Sequence, residues 1–292
     1  MLPTDEKIFS RFDEKLGERN LRLSIICVGG YVLRFHGIRE TVDIDAFFTN
    51  TPEIQSIIEE IGQEFGLNSS DEDWLNSSVQ NLNDAPDESI CSTIYTGKNL
   101  TVAIPPLLYV AGMKLISERE IDISDVAQII SSLHSKDPVE FRNGLMQYGF
   151  GFVDEALILE AFSEAYGMEW LEEYYRKHES DFTKNIDSLS SGSYDAVFDR
   201  RAFGFGTESK IKNFELRKDF IKCREEILGK LLKIPTMQGR TEAFYDEMKK
   251  RLLEKYSNDE VAQALNSFTQ YVPYVKKQPS APNFELSFQD DV

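Results

Sequence analysis

Residues 25–48 read IICVGGYVLRFHGIRETVDIDAFF. The stretch holds a β-like apolar run, a Gly-Gly pair, a short apolar helix and a second β-like run entered through Thr-Val-Asp-Ile-Asp. Nowhere else does the chain combine a backbone able to approach an anion with carboxylates placed to share a cation. Gly29 and Gly30 close the first strand, and their missing side chains let backbone N–H groups at the next helix start face a phosphate. Asp43 and Asp45 stand two apart in an extended segment. A period of two turns both carboxylates to one face and Val42, Ile44 and Ala46 to the other. Two carboxylates on one face call for a cation, and Mg²⁺, which takes oxygen ligands and substrate phosphates, is the expected one.

Outward from this segment, composition narrows the choices. A chain of 292 residues has room for one large domain or two ordinary ones. Its first ten residues, MLPTDEKIFS, lack the basic start and apolar core of a signal peptide. No segment approaches the roughly 20 apolar residues that span a bilayer. Cys27, Cys91 and Cys223 lie far apart without metal-ligand spacing, so buried thiols in a reduced, cytoplasmic setting are expected, with no membrane partner. The net charge of −18 argues against an open nucleic-acid-binding face. The excess is uneven: residues 40–97 contain no Lys or Arg and many Asp and Glu. They read as a solubilising surface or a dock for a basic partner.

Hydrophobic spacing organises the rest. Ile8, Phe9, Phe12 and Leu16 make a helical stripe over 5–19, followed by strand 23–28, helix 30–36 and strand 43–48. Helix 52–65 has Thr51 as N-cap and Pro52 in its first turn. Residues 68–89 read as polar and turn-rich, 90–95 and 100–104 as two strands about a tight turn, and Pro105-Pro106 as the opening of a helix to about 117. Helices are then expected at 122–134, 138–148, 152–166, 168–178, 208–232, 239–256 and 258–270, with a Ser/Gly/Asp-rich loop at 187–206. The expectation is an α+β fold: a small mixed sheet flanked by helices in 1–135, a helical domain in 136–275 and a mobile tail in 276–292.

Gly29-Gly30, Thr41, Asp43 and Asp45 together make the segment resemble the nucleotidyltransferase superfamily. Within it, GGYVLRFHGIRETVDID is most similar to the bacterial abortive-infection-toxin-like nucleotidyltransferases and their uncharacterised relatives. The likeness extends through Trp74-Leu75-Asn76 and YVAGMKLISEREIDISDVAQII, covering about residues 20–135. It implies a nucleotidyltransferase-type sheet followed by a C-terminal helical bundle. It also implies transfer of a nucleoside monophosphate from a nucleoside triphosphate to an acceptor hydroxyl on RNA, protein or a small molecule, in a toxin–antitoxin or phage-defence role with an antitoxin protein as partner. On this resemblance Asp43 and Asp45 hold Mg²⁺, while Gly29, Gly30, Arg39, Thr41 and Lys114 meet the nucleotide. Asp122 or Asp125 completes the acidic set or deprotonates the acceptor. The hairpin CSTIYTGKNLTVAI departs from the superfamily by offering no third carboxylate. The alternative is therefore a catalytically degenerate binding or regulatory protein on the same scaffold.

Blander readings accompany these residues. Lys114, Arg119, Asp122 and Asp125 pass as amphipathic-helix surface, the two aspartates also as first-turn residues favoured by the helix dipole. His36 reads as a packing or capping residue, and His134 and His178 are isolated. Trp74, Tyr166, Trp170, Tyr174 and Tyr175 read as packing. GFGTE at 204–208 lacks the Lys-Ser/Thr ending of a phosphate loop. Lys210, Lys212, Arg217, Lys218, Lys222 and Arg224 form the one locally basic stretch, either a rim for RNA or a solvated helix face.

Overall fold

Two apolar strands distant in sequence pair at the centre of the sheet. β1 (Leu23–Cys27) lies parallel to β5 (Leu100–Ile104), with Ile25 opposite Val102. β1 is buried almost along its whole length, as a strand covered on both faces must be. The computed structural model describes residues 3–41, 43–67, 73–81, 85–117, 120–184, 189–231, 233–234 and 236–271. It divides the chain into two compact units. One runs to Asp154 and adds Ala161–Gly167; the other comprises Glu155–Glu160 and the chain from Met168 onward. The first unit thus extends past residue 135, and the tail 276–292 lies outside the described residues.

In the first unit β2 (Ile44–Phe47) runs antiparallel to β1 on its other side, and β4 (Ser92–Thr96) runs antiparallel to β5. A further strand, β3 (Leu75–Asn76), pairs parallel with β2, giving the order β3-β2-β1-β5-β4. This corrects the reading of 68–89 as turns alone. Two residues carry no periodicity, and Leu75 is recruited by the sheet edge and by its neighbour Trp74. That side chain is buried and donates its indole N–H to the carbonyl of Ile58 at 2.9 Å. The expected α+β class with a small mixed sheet is what the described residues show.

Helix α1 (Pro3–Glu18) buries Ile8, Phe9, Phe12 and Leu16. Asp13 on its other side accepts the backbone N–H groups of Asn99 and Leu100 at 2.6 and 2.8 Å, fastening the helix to the β4–β5 turn. α2 (Gly29–Phe35) links β1 to the connection into β2. α3 (Pro52–Phe65) obeys its local signals. Thr51 Oγ1 accepts from Ile54 N at 3.3 Å, Pro52 opens the helix, and Gly66 ends it at φ 66°. Its Ile54, Ile57, Ile58 and Ile61 form the buried stripe, and Lys15–Glu60 (2.7 Å) ties α1 to α3. α4 (Leu107–Ser117), α5 (Glu120–Ser132) and α6 (Pro138–Gln147) follow.

In the second unit the described elements are helical: the start of α7 (Glu155–Tyr166), α8 (Met168–Lys184), α9 (Ser191–Ala202), α10 (Phe214–Leu231), α11 (Met237–Leu253) and α12 (Asn258–Thr269). α9 corrects the expected loop at 187–206. Ser190 caps it by accepting from Ser193 N at 3.1 Å, and Tyr194, Val197 and Phe198 pack inward. Small polar residues at its start hid a helix that tertiary burial of these side chains makes favourable. The expected helix 208–232 is broken into a 3-10 turn (Glu208–Lys210) and α10, whose Leu216 N–H is taken by Asn213 Oδ1 at 3.2 Å.

Candidate active site

β1 stops at Cys27, and Val28, still extended, donates its N–H to the carbonyl of Asp45 at 2.8 Å. The chain then turns through Gly29 at φ 58°, a conformation that costs an L-residue about 1–2 kcal/mol. Space is as tight as conformation. A Cβ on Gly29 would lie 3.2 Å from Asp45 Oδ2, and one on Gly30 would lie 3.1 Å from Arg39 Nη2 and 3.3 Å from Thr41. The glycine pair therefore lets the backbone pass under Asp45 on one side and under Arg39 and Thr41 on the other.

Asp43, one residue before β2, and Asp45 within it are half-buried, while Ile44 and Ala46 are buried. Thr41 Oγ1 donates to Asp43 Oδ1 at 2.5 Å. Val42 lies outside the described residues. Arg39, whose Nη2 lies over Gly30, places its Nη1 3.5 Å from Asp125 Oδ2. Asp125 is also held by Lys114 at 2.6 Å, and Lys114 meets Asp122 Oδ1 at the same distance. Spacing i, i+3 on α5 sets Asp122 and Asp125 on one face, toward the last turn of α4.

Asp122 and Asp125 are 4% and 1% exposed, and the Lys114 side chain 12%. This overturns the amphipathic-surface reading of all three; Arg119 lies outside the described residues. Two carboxylates enclosed in protein need a cation, and Lys114 is the counter-charge that both share, with Arg39 on the rim. The Ser117 hydroxyl adds a hydrogen bond to Asp122 Oδ2. Sequence reasoning passed over Ser117 and also Arg34, whose Nη1 donates to the carbonyl of Thr41 at 2.9 Å. Arg34 left a trace, being the one charged residue in the apolar run of α2.

An open cavity of about 380 Å³ is lined by Ile38, Ser124, Gln128, Ser131 and Glu164, of which Ile38 precedes Arg39 and Ser124 precedes Asp125 in the chain. The remaining candidates are structural. His36 caps the C-terminus of α2 and packs edge-on against Phe35, and partial burial lowers its pKa. His178 stacks on Tyr174, which stacks on Trp170. Cys27 is fully buried, and desolvation pushes its thiol pKa up. The basic stretch 210–224 does not present all its cations outward. Arg224 is wholly buried against Glu208 (2.9 Å), and the Arg217 guanidinium is spent on the carbonyl of Ile211 at 2.6 and 2.9 Å.

The donor set meets Mg²⁺ on chemical grounds. Asp43 and Asp45 would offer hard carboxylate oxygens beside a glycine backbone that leaves Asp45 room, and Mg²⁺ is commonly bound by one or two carboxylates plus substrate phosphates. Among the described residues no group of three or more His, Cys, Asp or Glu forms a cage. Compared with known proteins, the chain matches no family model, no curated protein and no solved structure.

Proposed function

We propose that this chain is a Mg²⁺-dependent nucleotidyltransferase, with a nucleotidyltransferase-type fold in its first part and a helical bundle in its second, akin to the abortive-infection-toxin-like enzymes. One observation carries the reading: the Arg39–Asp125 ion pair. It joins the Gly29-Gly30 and Asp43-x-Asp45 segment to the Lys114, Asp122 and Asp125 cluster, two blocks far apart in sequence. A fold has no evident need to gather glycines, cations and carboxylates in this way, whereas phosphoryl chemistry needs all three.

In this reading Asp43 and Asp45 hold Mg²⁺, which when bound supplies charge neutralisation at the triphosphate and at the departing pyrophosphate. Gly29 and Gly30 keep the backbone open to phosphate oxygens. Arg39 and Lys114 each trade a carboxylate oxygen for a phosphate oxygen, an exchange of like anionic partners. The acceptor oxygen forms a bond to the α-phosphorus as the bond to pyrophosphate breaks and its electron pair leaves on pyrophosphate. The hydroxyl proton passes to a carboxylate of the Asp122–Asp125 pair. The cavity beside Ile38 and Ser124 is large enough for part of a nucleoside or acceptor. The acceptor is an RNA end, a protein or a small molecule, and the role is a toxin or phage-defence component.

The test is incubation with each α-labelled nucleoside triphosphate, total RNA and cell extract, comparing wild type with Asp43→Ala/Asp45→Ala. Label transferred by wild type alone supports the reading; equal label from both proteins overturns it.

A second reading has its own observation. β4 and β5 carry no carboxylate, and Lys114 is already matched by two aspartates. A degenerate scaffold that binds rather than transfers, docking an antitoxin on the acidic surface of 40–97, fits those facts. Calorimetry separates the two: no binding of Mg-ATP or Mg-CTP by wild type leaves the scaffold reading standing alone.

A further inference from the structure

Asp43 stands one residue before β2 begins, so strand pairing does not by itself hold its carboxylate. Its position depends on the 39–43 connection, and that connection is tied back to the core by a residue outside the proposed machinery. Arg34 Nη1 donates to the carbonyl of Thr41 at 2.9 Å, and Thr41 Oγ1 donates to Asp43 Oδ1. The other end of the guanidinium is fixed as firmly. Arg34 Nη2 donates to Asp5 Oδ1 at 2.6 Å, Tyr31 Oη donates to Asp5 Oδ2 at 3.5 Å, and the guanidinium lies 5.0 Å from the Tyr31 ring centroid. Arg34 and Asp5 side chains are only 14% and 7% exposed.

We infer that Arg34, anchored by Asp5 at the start of α1, is a positioning residue that sets the Asp43 carboxylate for the cation and triphosphate. The inference rests on the reading of Asp43 given above. The physical reason is the planar fork. A guanidinium presents N–H groups at fixed angles and holds two acceptors at once, so the position of α1 is transmitted to Thr41 as a rigid distance. A lysine is a point charge on a flexible stem without the planar fork, so it does not fix two acceptors at a set distance and angle. Carboxylates around a metal must be held to about half an ångström, and removing an outer partner of a ligand typically costs 10–100-fold in metal affinity.

The experiment is calorimetry of ATP and CTP binding over a Mg²⁺ titration, with thermal unfolding alongside, for wild type, Arg34→Lys, Asp5→Asn, Thr41→Val, Arg34→Lys/Thr41→Val and Asp43→Ala/Asp45→Ala. Arg34→Lys is expected to raise the half-saturating Mg²⁺ by about 10–100-fold. Thr41→Val raises it similarly, and the double variant goes no further than the worse single one, because both act on one carboxylate. Asp5→Asn, which keeps the packing, shifts it the same way and serves if Arg34→Lys fails to fold. Wild-type affinity in both Arg34→Lys and Asp5→Asn, with loss in Asp43→Ala/Asp45→Ala, overturns the positioning role alone. Effects of Arg34→Lys and Thr41→Val that multiply in full reduce Arg34 to a general fold contact and also overturn it. Absence of any Mg²⁺-dependent binding by wild type overturns the site reading and this inference together.

Discussion

Lys114 on α4 and Asp125 Oδ2 on α5 meet at 2.6 Å, and Arg39 stands 3.5 Å from the same oxygen. One buried aspartate thus links the loop after α2 to the α4–α5 pair. Removing Lys114 leaves Asp122 and Asp125 enclosed without their shared cation. Lys114→Met is therefore expected to lower stability by about 3–5 kcal/mol, read from urea unfolding at pH 7. Adding Asp125→Asn should recover part of that loss, since it removes one of the stranded charges. A Lys114→Met protein as stable as wild type would show that the cluster is hydrated and not a true buried pair.

Gly29 carries two constraints at once, a positive φ and the nearby Asp45 carboxylate. Gly29→Ala is expected to cost about 1–2 kcal/mol from the backbone alone and to push Asp45 aside. The prediction is a modest drop in melting temperature with at least a tenfold loss of Mg²⁺-dependent nucleotide binding. Gly37→Ala is the control: its φ is 68°, yet nothing lies near its Cβ. It should lose stability without losing binding.

In the second unit, burial pushes the Glu208 carboxyl up to about 7, with Glu160 acting in the same sense and Arg201 opposing. A carboxyl whose folded pKa lies above its unfolded value favours the folded state at low pH, and that contribution is lost as pH rises through the folded value. Stability should therefore decline between about pH 4.5 and 7 by the share this group carries. Glu208→Gln, which cannot ionise, should flatten that part of the profile. Thermal unfolding of both proteins from pH 4 to 8 checks the sign, and parallel profiles would discard it.

Arg224 shares that interior, paired with Glu208 and lying 4.1 Å from the Phe205 ring centroid. Arg224→Met should destabilise by about 3–5 kcal/mol while leaving any RNA affinity unchanged, because the side chain is not at the surface. If filter binding shows RNA retention by wild type and its loss in a still-folded Arg224→Met, the buried assignment is wrong.

Local signals were legible wherever one residue type forces one conformation. Thr51, Pro52 and Gly66 bracket α3 because a hydroxyl cap, a fixed φ and a left-handed glycine act within a few residues. The strands before and after α2 were readable from their β-like apolar runs, with β2 confined to Ile44–Phe47. Signals failed where the element owed its existence to distant partners. β3 is too short to have a period, and α9 begins in a composition that suits a loop until Tyr194 and Phe198 are buried. The basic stretch misled similarly, since charge in a sequence does not say which cations have found a buried carboxylate.

The sequence by itself determined the Gly-Gly turn, the strand through Asp45 and most of the helical periods, because these depend on dihedral preferences and on spacings of two or 3.6 residues. Tertiary structure alone decided that Lys114 is shared by Asp122 and Asp125, that Arg39 faces Asp125, and that Arg34 joins Asp5 to Thr41. Ion pairs between remote segments form only after apolar burial has brought their backbones together. Desolvation then makes an unmatched charge too costly to leave, and the partner is whichever opposite charge the packing has carried within reach.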